Sequence, residues 1–283
     1  MNKVEVKNLY KEFDHFTLGE NSFSIPKGYI TGFIGKNGMG KTTTIKAILS
    51  LINYNGEIYV DDENIKSLDY LQDVGIIMDD SFLCKDWTLN LVNEAMSEGY
   101  KNWDESKFFN FLNDFGLERD SKVRDLSRGM NIKLMLSIAL SHNANLLILD
   151  EPTSGLDPSM RDELADILQD FVSNEENTVL FSTHITQDLD RIADYIVFVD
   201  NGKIIFSDTK DAFQDKFLVV KGGLEDLKLL NDVKILGIKK NDNGFEALVD
   251  EGDFNVDSDE IIMENPNIDR VMVLYGRKEK WMK

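Results

Sequence analysis

Residues 29–51 read YITGFIGKNGMGKTTTIKAILSL, and this stretch decides the fold. Its apolar, β-rich opening stops at a glycine, and Gly35-Lys36-Asn37-Gly38-Met39-Gly40-Lys41-Thr42 then fits the spacing GxxxxGK[ST]. The closing residues, KTTTIKAILSL, predict a helix from about Lys41 to Leu51. A glycine-rich turn with an incidental Lys-Thr would lack this order of strand, loop and helix. Glycines at 35, 38 and 40 let the backbone wrap closely around phosphate, and the loop N–H groups with the helix N-terminus form an anion-binding nest. Lys41 is expected to reach the β- and γ-phosphates, and the Thr42 hydroxyl to ligate Mg²⁺. Asn37 and Thr43 count among the binding residues of the same loop.

Upstream, VEVKNLY and the alternating FTLGENSFSIP predict strands within residues 3–34. Downstream, GEIYVDDENI reads as a hairpin, VGIIMDD as a buried strand, and LLILDEP and TVLFSTH as short apolar strands ending in polar residues. Such strands indicate an open α/β sheet with ligand groups at its carboxyl edge. Asp150, at the mouth of LLILD, is placed to hold the metal through water, with Glu151 beside the γ-phosphate. Leu89–Glu98, Asp104–Phe115 and Ile132–Leu140 carry helical spacing, a helical insertion over about residues 85–140.

After Phe213 the pattern restarts with KFLVVKG, GLEDLKLL, VKILGIKKNDNGFEALVD and Asn267–Tyr275. The third segment predicts a hairpin with Asn243-Gly244 at its turn. The expected organisation is a nucleotide-binding domain over residues 1–213 and a small α+β extension over 214–283.

Composition narrows the partners. Over 283 residues, 31 Lys and Arg stand against 51 Asp and Glu, and a formal charge of −20 disfavours nucleic-acid binding. The single cysteine, Cys84, cannot form an internal disulfide, and is read as a small, partly buried apolar residue. MNKVEVKNLYKEF has no apolar signal core, which fits a cytoplasmic protein. The apolar runs fall far short of the ~20 residues a membrane helix needs, so work at a membrane would go through a partner.

Further motifs resemble those of ATP-binding cassette (ABC) proteins over roughly residues 3–213. Leu126-Ser127-Arg128-Gly129-Met130 resembles the family's LSGGQ signature, Ser154-Gly155-Leu156-Asp157 its D-loop, and His184 its switch histidine. Phe13 stands where the family places an aromatic that stacks on adenine. The resemblance implies an α/β P-loop NTPase fold of the ABC ATPase type: a mixed sheet core, an antiparallel β subdomain and a helical subdomain. It also implies two ATPs sandwiched between two head-to-tail domains. Ser127 and the Gly129 N–H would then face a γ-phosphate held by the other subunit. His184 would hydrogen-bond the γ-phosphate, and Glu151 would orient and deprotonate the attacking water. His15 and His142 have no such company and are read as surface or structural residues.

Two departures stand out. Alignment of VGIIMDDSFLCKDWT with the family's IGxxxQxxxLxxxxT pattern puts Asp79 at the glutamine that contacts Mg²⁺ and water. In the signature, Arg128 replaces the first glycine and Met130 the glutamine. With one cassette, no coiled-coil arms and a charge of −20, the expected role is the ATPase subunit of a transporter. It would pair with an identical or paralogous ATPase and sit peripherally on the inner face of the membrane through an integral membrane subunit. That subunit's short helix would enter a groove with Phe82, Leu83, Trp87 and Leu91 as candidates, Leu91 being expected in the core. Trp103-Asp104, Phe108, the SRGM form and the tail resemble bacterial Ytr-type and phenol-soluble modulin exporter ATPases, implying export of peptides or amphipathic antimicrobial compounds. A nonhydrolysing regulatory subunit and a soluble non-transport ABC ATPase remain the alternatives.

Overall fold

Alternating apolar positions build the first sheet. The computed structural model describes residues 1–78, 82–256, 258 and 260–277. In β1 (Asn2–Phe13) Val4, Val6 and Leu9 are buried, and β2 (Phe16–Pro26) answers with Leu18, Phe23 and Ile25. β4 (Asn55–Val60) and β5 (Glu63–Asn64), the expected hairpin, complete an antiparallel sheet ordered β2-β1-β4-β5.

The second sheet holds β3 (Ile30–Ile34), β6 (Val74–Ile77), β7 (Leu146–Asp150), β8 (Thr178–Thr183), β9 (Tyr195–Asp200) and β10 (Lys203–Thr209), ordered β10-β9-β3-β8-β7-β6. β9, β3, β8, β7 and β6 run parallel in sequence across it. Every residue of β3, β7 and β8 is buried, as expected of a parallel sheet covered on both faces. Register decides the function: Ile34 pairs with Thr183 and Asp150 with Ser182, so three strands end level at one edge. α1 (Lys41–Ile48) follows β3 and packs Ile45, Ala47 and Ile48 into the core between the sheets.

Three helices form a body with its own core. α2 (Leu89–Gly99) is capped by Thr88 and α3 (Glu105–Asp114) by Asp104, each side chain accepting from a first-turn N–H. α4 (Arg128–Ser141) starts four residues before its apolar pattern, because Ser127 caps a polar first turn that periodicity does not register. Leu89, Val92, Phe108, Leu112, Leu134 and Ile138 meet between them. Three expectations need correction here. Leu91 is 40% exposed, since α2 turns Leu89, Val92 and Asn93 inward and Leu91 lies on the other side. Leu83 is buried in the helical core, which removes it from the candidate groove. Cys84 is exposed.

α5 (Pro158–Val172) precedes β8, and α6 (Thr186–Ile192) follows it. The chain divides into two compact units, Met1–Asp188 with Ile192–Ser207, and Leu189–Arg191 with Asp208–Lys283. The second unit contains α7 (Lys210–Lys216), β11 (Phe217–Gly222), β12 (Ile235–Asn241), β13 (Gly244–Asp250), β14 (Ile262–Glu264) and α8 (Ile268–Leu274). Its strands form an antiparallel sheet ordered β12-β13-β11-β14 over Leu218, Val220, Phe245, Ala247 and Val249. Asn241 pairs with Gly244, so Asp242 and Asn243 make the hairpin turn, one residue earlier than expected.

Candidate nucleotide site

The loop between β3 and α1 is shaped by what its glycines lack. A Cβ on Gly35 would lie 2.5 Å from the Val199 carbonyl oxygen, so only glycine lets the loop leave β3 against β9. Gly40 caps α1 at φ 111° with no side chain to bond the first-turn N–H groups, and that turn carries no acidic residue. Those donors and the positive helix end remain available to an anion. Lys41 is buried, its Nζ donating to the Gly35 carbonyl at 2.7 Å and standing 3.2 Å from Glu151 Oε1 in a charge-to-charge contact. A cavity of about 280 Å³ over the loop is lined by Phe16, Asn37, Gly38, Gly40, Lys41, Thr42, Thr43 and Glu151. Phe13 is 41% exposed at the end of β1, its ring centroid 6.3 Å from that of Phe16.

Level strand ends bring the carboxylates to this loop. Thr42 Oγ1 donates to Asp150 Oδ2 at 2.7 Å, and Ser182 Oγ donates to Asp150 Oδ1 at 2.8 Å. Asp150 is thereby held by both neighbours and almost wholly buried. Two hard oxygens, from Thr42 and Asp150, converge where a triphosphate's cation would need them. Among the described residues no cluster of three or more His, Cys, Asp or Glu could hold an ion. A cation that takes one or two protein oxygens and completes its shell with water and phosphate fits this donor set, and Mg²⁺ behaves so.

Glu151 adopts φ 53°, an uncommon conformation for a residue with a side chain, anchored by its N–H on the Ser182 carbonyl at 2.9 Å. Its Oε2 accepts from His184 Nδ1 at 2.6 Å and from the His184 backbone N–H at 3.3 Å. Because a carboxylate only accepts, Nδ1 carries the proton. A carboxylate fixed by an imidazole beside a buried lysine is equipped to receive a proton from water.

Ser127 and Asp157 spend their side chains capping α4 and α5, through the N–H groups of Met130 at 3.3 Å and Met160 at 3.0 Å. Gly129 lies in the first turn of α4. Asp79 lies outside the described residues. The structure adds two residues to which the sequence alone assigns no role, Ser182 on Asp150 and Phe16 over the loop. Ser182 is within reach of sequence reasoning, because its pairing opposite Asp150 follows once the two apolar strands are set side by side.

Known proteins resemble this chain over most of its length. A family model described as ABC transporter matches residues 18–154. The lantibiotic transport ATP-binding protein SrtF of Streptococcus pyogenes is 33% identical over 216 residues, 75% of this chain and 93% of that protein. YhcH of Bacillus subtilis, an uncharacterized ABC transporter ATP-binding protein, is 28% identical across 96% of this chain and 92% of its own length. The solved ATP-binding subunit of an ABC transporter superposes with a TM-score of 0.65 at 27% identity, covering 75% of this chain and 91% of that one.

Proposed function

The chain belongs to the ABC transporter family as an ATP-binding, ATP-hydrolysing subunit, and we propose that residues 35–43, Asp150, Glu151 and His184 form its hydrolytic site. The loop N–H groups and Lys41 neutralise the triphosphate, with Asn37 and Thr43 at the wall of the same cavity. Phe13 and Phe16 offer the adenine an aromatic face beside it. Thr42 and Asp150 would hold Mg²⁺, which would offset charge on the phosphate oxygens. Glu151 orients the attacking water and takes its proton, while His184 fixes the carboxylate. His184 Nδ1 is taken up by Glu151, which leaves Nε2 as the ring atom for the γ-phosphate.

Exposed Ser127 and Asp157, with half-buried Gly129, meet a second ATPase subunit, identical or paralogous, so that two ATPs lie between two chains. No helix among the described residues is long and apolar enough to cross a membrane, and an integral membrane subunit supplies the transport path. That partner holds this chain on the inner face of the membrane, against Phe82, half-buried Trp87 and Leu91. The likeness to a lantibiotic transport protein supports export of peptides or amphipathic antimicrobial compounds.

The 2.6 Å contact between His184 and Glu151, with Lys41 alongside, carries this reading. Its test is Glu151→Gln, which keeps the shape and removes the base. ATP affinity by titration calorimetry should be retained while phosphate release falls by about 10²–10⁴-fold. Turnover at the parental rate would move catalysis elsewhere.

A further inference from the structure

Two turns from different elements each present a glycine, and each glycine lies under a long side chain of the other. At the start of α4, Arg128 sends its stem over the loop before α5: a Cβ on Gly155 would lie 3.4 Å from Arg128 Cδ and 3.7 Å from Nε. In return, a Cβ on Gly129 would lie 3.4 Å from Met160 Cγ and 3.7 Å from its Sδ, with Leu156 Cδ2 at 3.8 Å. Gly155 sits at φ 75°, which favours glycine, and the missing side chain leaves a shelf that Arg128 covers with its Cδ and Nε. The loop itself is tied at both ends. Ser154 N–H donates to the Glu151 carbonyl at 3.3 Å, and Arg161 Nε donates to the Leu156 carbonyl at 3.2 Å.

We propose that Arg128 and Met160 are positioning residues, a reciprocal clasp that makes the Ser127–Gly129 turn and the Ser154–Asp157 loop one preformed surface for the second subunit. The proposal rests on the reading in which two ATPs lie between two chains. Arg128 stands where the resembled signature has glycine, so the contact belongs to this chain's departure from that pattern. Its effect is on association: two turns already packed together lose less freedom when a partner orders them. Because the loop begins at the Glu151 carbonyl, the same surface is mechanically continuous with the base of its own site.

The test uses the full-length chain carrying Glu151→Gln, so that ATP is held rather than consumed. The monomer–dimer equilibrium is followed by analytical ultracentrifugation with ATP and Mg²⁺, and ADP affinity is measured as a check on the loop over α1. Adding Arg128→Ala should raise the protein concentration for half-dimerisation about tenfold, one ordered side chain being lost on each subunit, with ADP affinity unchanged. Met160→Ala should do the same. Arg128→Met, which keeps the stem and removes the charge, should dimerise like the Glu151→Gln background. Dimerisation unaffected by Arg128→Ala would overturn the clasp, as would Arg128→Met behaving like Arg128→Ala, since the charge and not the stem would then matter. Failure of Glu151→Gln itself to dimerise with ATP while still binding ADP would instead bring down the sandwich reading, and the clasp's role with it.

Discussion

Lys41 serves two masters in this fold, a backbone carbonyl at 2.7 Å and the Glu151 carboxylate at 3.2 Å, while remaining buried. A buried ammonium so placed needs negative charge around it, and a triphosphate supplies more. Lys41→Ala should therefore weaken ATP binding by about 10- to 100-fold, the worth of a charge-assisted hydrogen bond. Titration calorimetry on a mutant of parental circular dichroism checks this, and unchanged affinity would sink the assignment of the loop. His142 illustrates a different use of an imidazole. Its ring stacks on Tyr100 with centroids 3.9 Å apart, Nδ1 lies 3.0 Å from the Gln72 carbonyl, and burial pushes its pKa below the ordinary value. As the pH drops below about 6.5 the unfolded chain takes up a proton that the folded chain refuses, so stability rises with pH through this window and is lost on acidification. Urea unfolding should show lower stability at pH 5.5 than at pH 7.5, with this residue contributing to the loss. His142→Phe, which keeps the stack and cannot titrate, should flatten that difference.

At the scale of elements, the packing of α4 on β6 is the tightest test of the architecture. A Cβ at Gly75 would lie 2.5 Å from Ala139 Cβ on the helix and 2.5 Å from Leu147 Cδ2 on the neighbouring strand. Gly75→Ala should cost about 1–3 kcal/mol in chemical unfolding, the usual penalty for overpacking. Gly99→Ala, at the end of α2 with nothing within 4 Å, should instead be neutral or stabilise by up to about 1 kcal/mol, so the pair separates crowding from a general dislike of alanine. The same elements show how far the amino-acid order alone reaches. β3, β7 and β8 are legible because fully buried parallel strands leave unbroken apolar runs ending in polar residues. The phosphate loop is legible because its chemistry demands glycines at set intervals. The start of α4 is not, since a capped polar turn has no hydrophobic period; the exposure of Leu91 depends on how α2 is turned, and Leu83 enters the helical core from the segment before α2. Nor can spacing reveal that Arg128 and Met160 exchange places over each other's glycines, a matter of tertiary contact alone.

For the whole molecule, hydrolysis matters only as far as it is linked to a membrane subunit, and Asp79 is the residue through which that link is most directly tested. Alignment with the family's glutamine, made on the sequence alone, would put an oxygen there on the metal or its water. Asp79→Gln should keep ATPase activity in the assembled complex, while Asp79→Ala should lose most of the stimulation by the membrane subunit. Phosphate release by the isolated chain and by the complex in lipid makes the comparison; equal stimulation of Asp79→Ala and parent would remove this side chain from coupling.

The placement of β3 between β8 and β9 also bears on how the chain is born. Ile30 finds its partner at Val179, and Thr31 its other partner at Tyr195. On a ribosome adding roughly 5–20 residues per second, the strand that carries the phosphate loop waits on the order of ten seconds with both edges open. Unpaired edges of apolar strands are templates for pairing with other chains. The nascent protein is thus most exposed to aggregation after its loop has been synthesised and before its neighbours have, and slowing translation between residues 35 and 178 would lengthen that hazard, whereas a chaperone holding the emerging segment would shorten it.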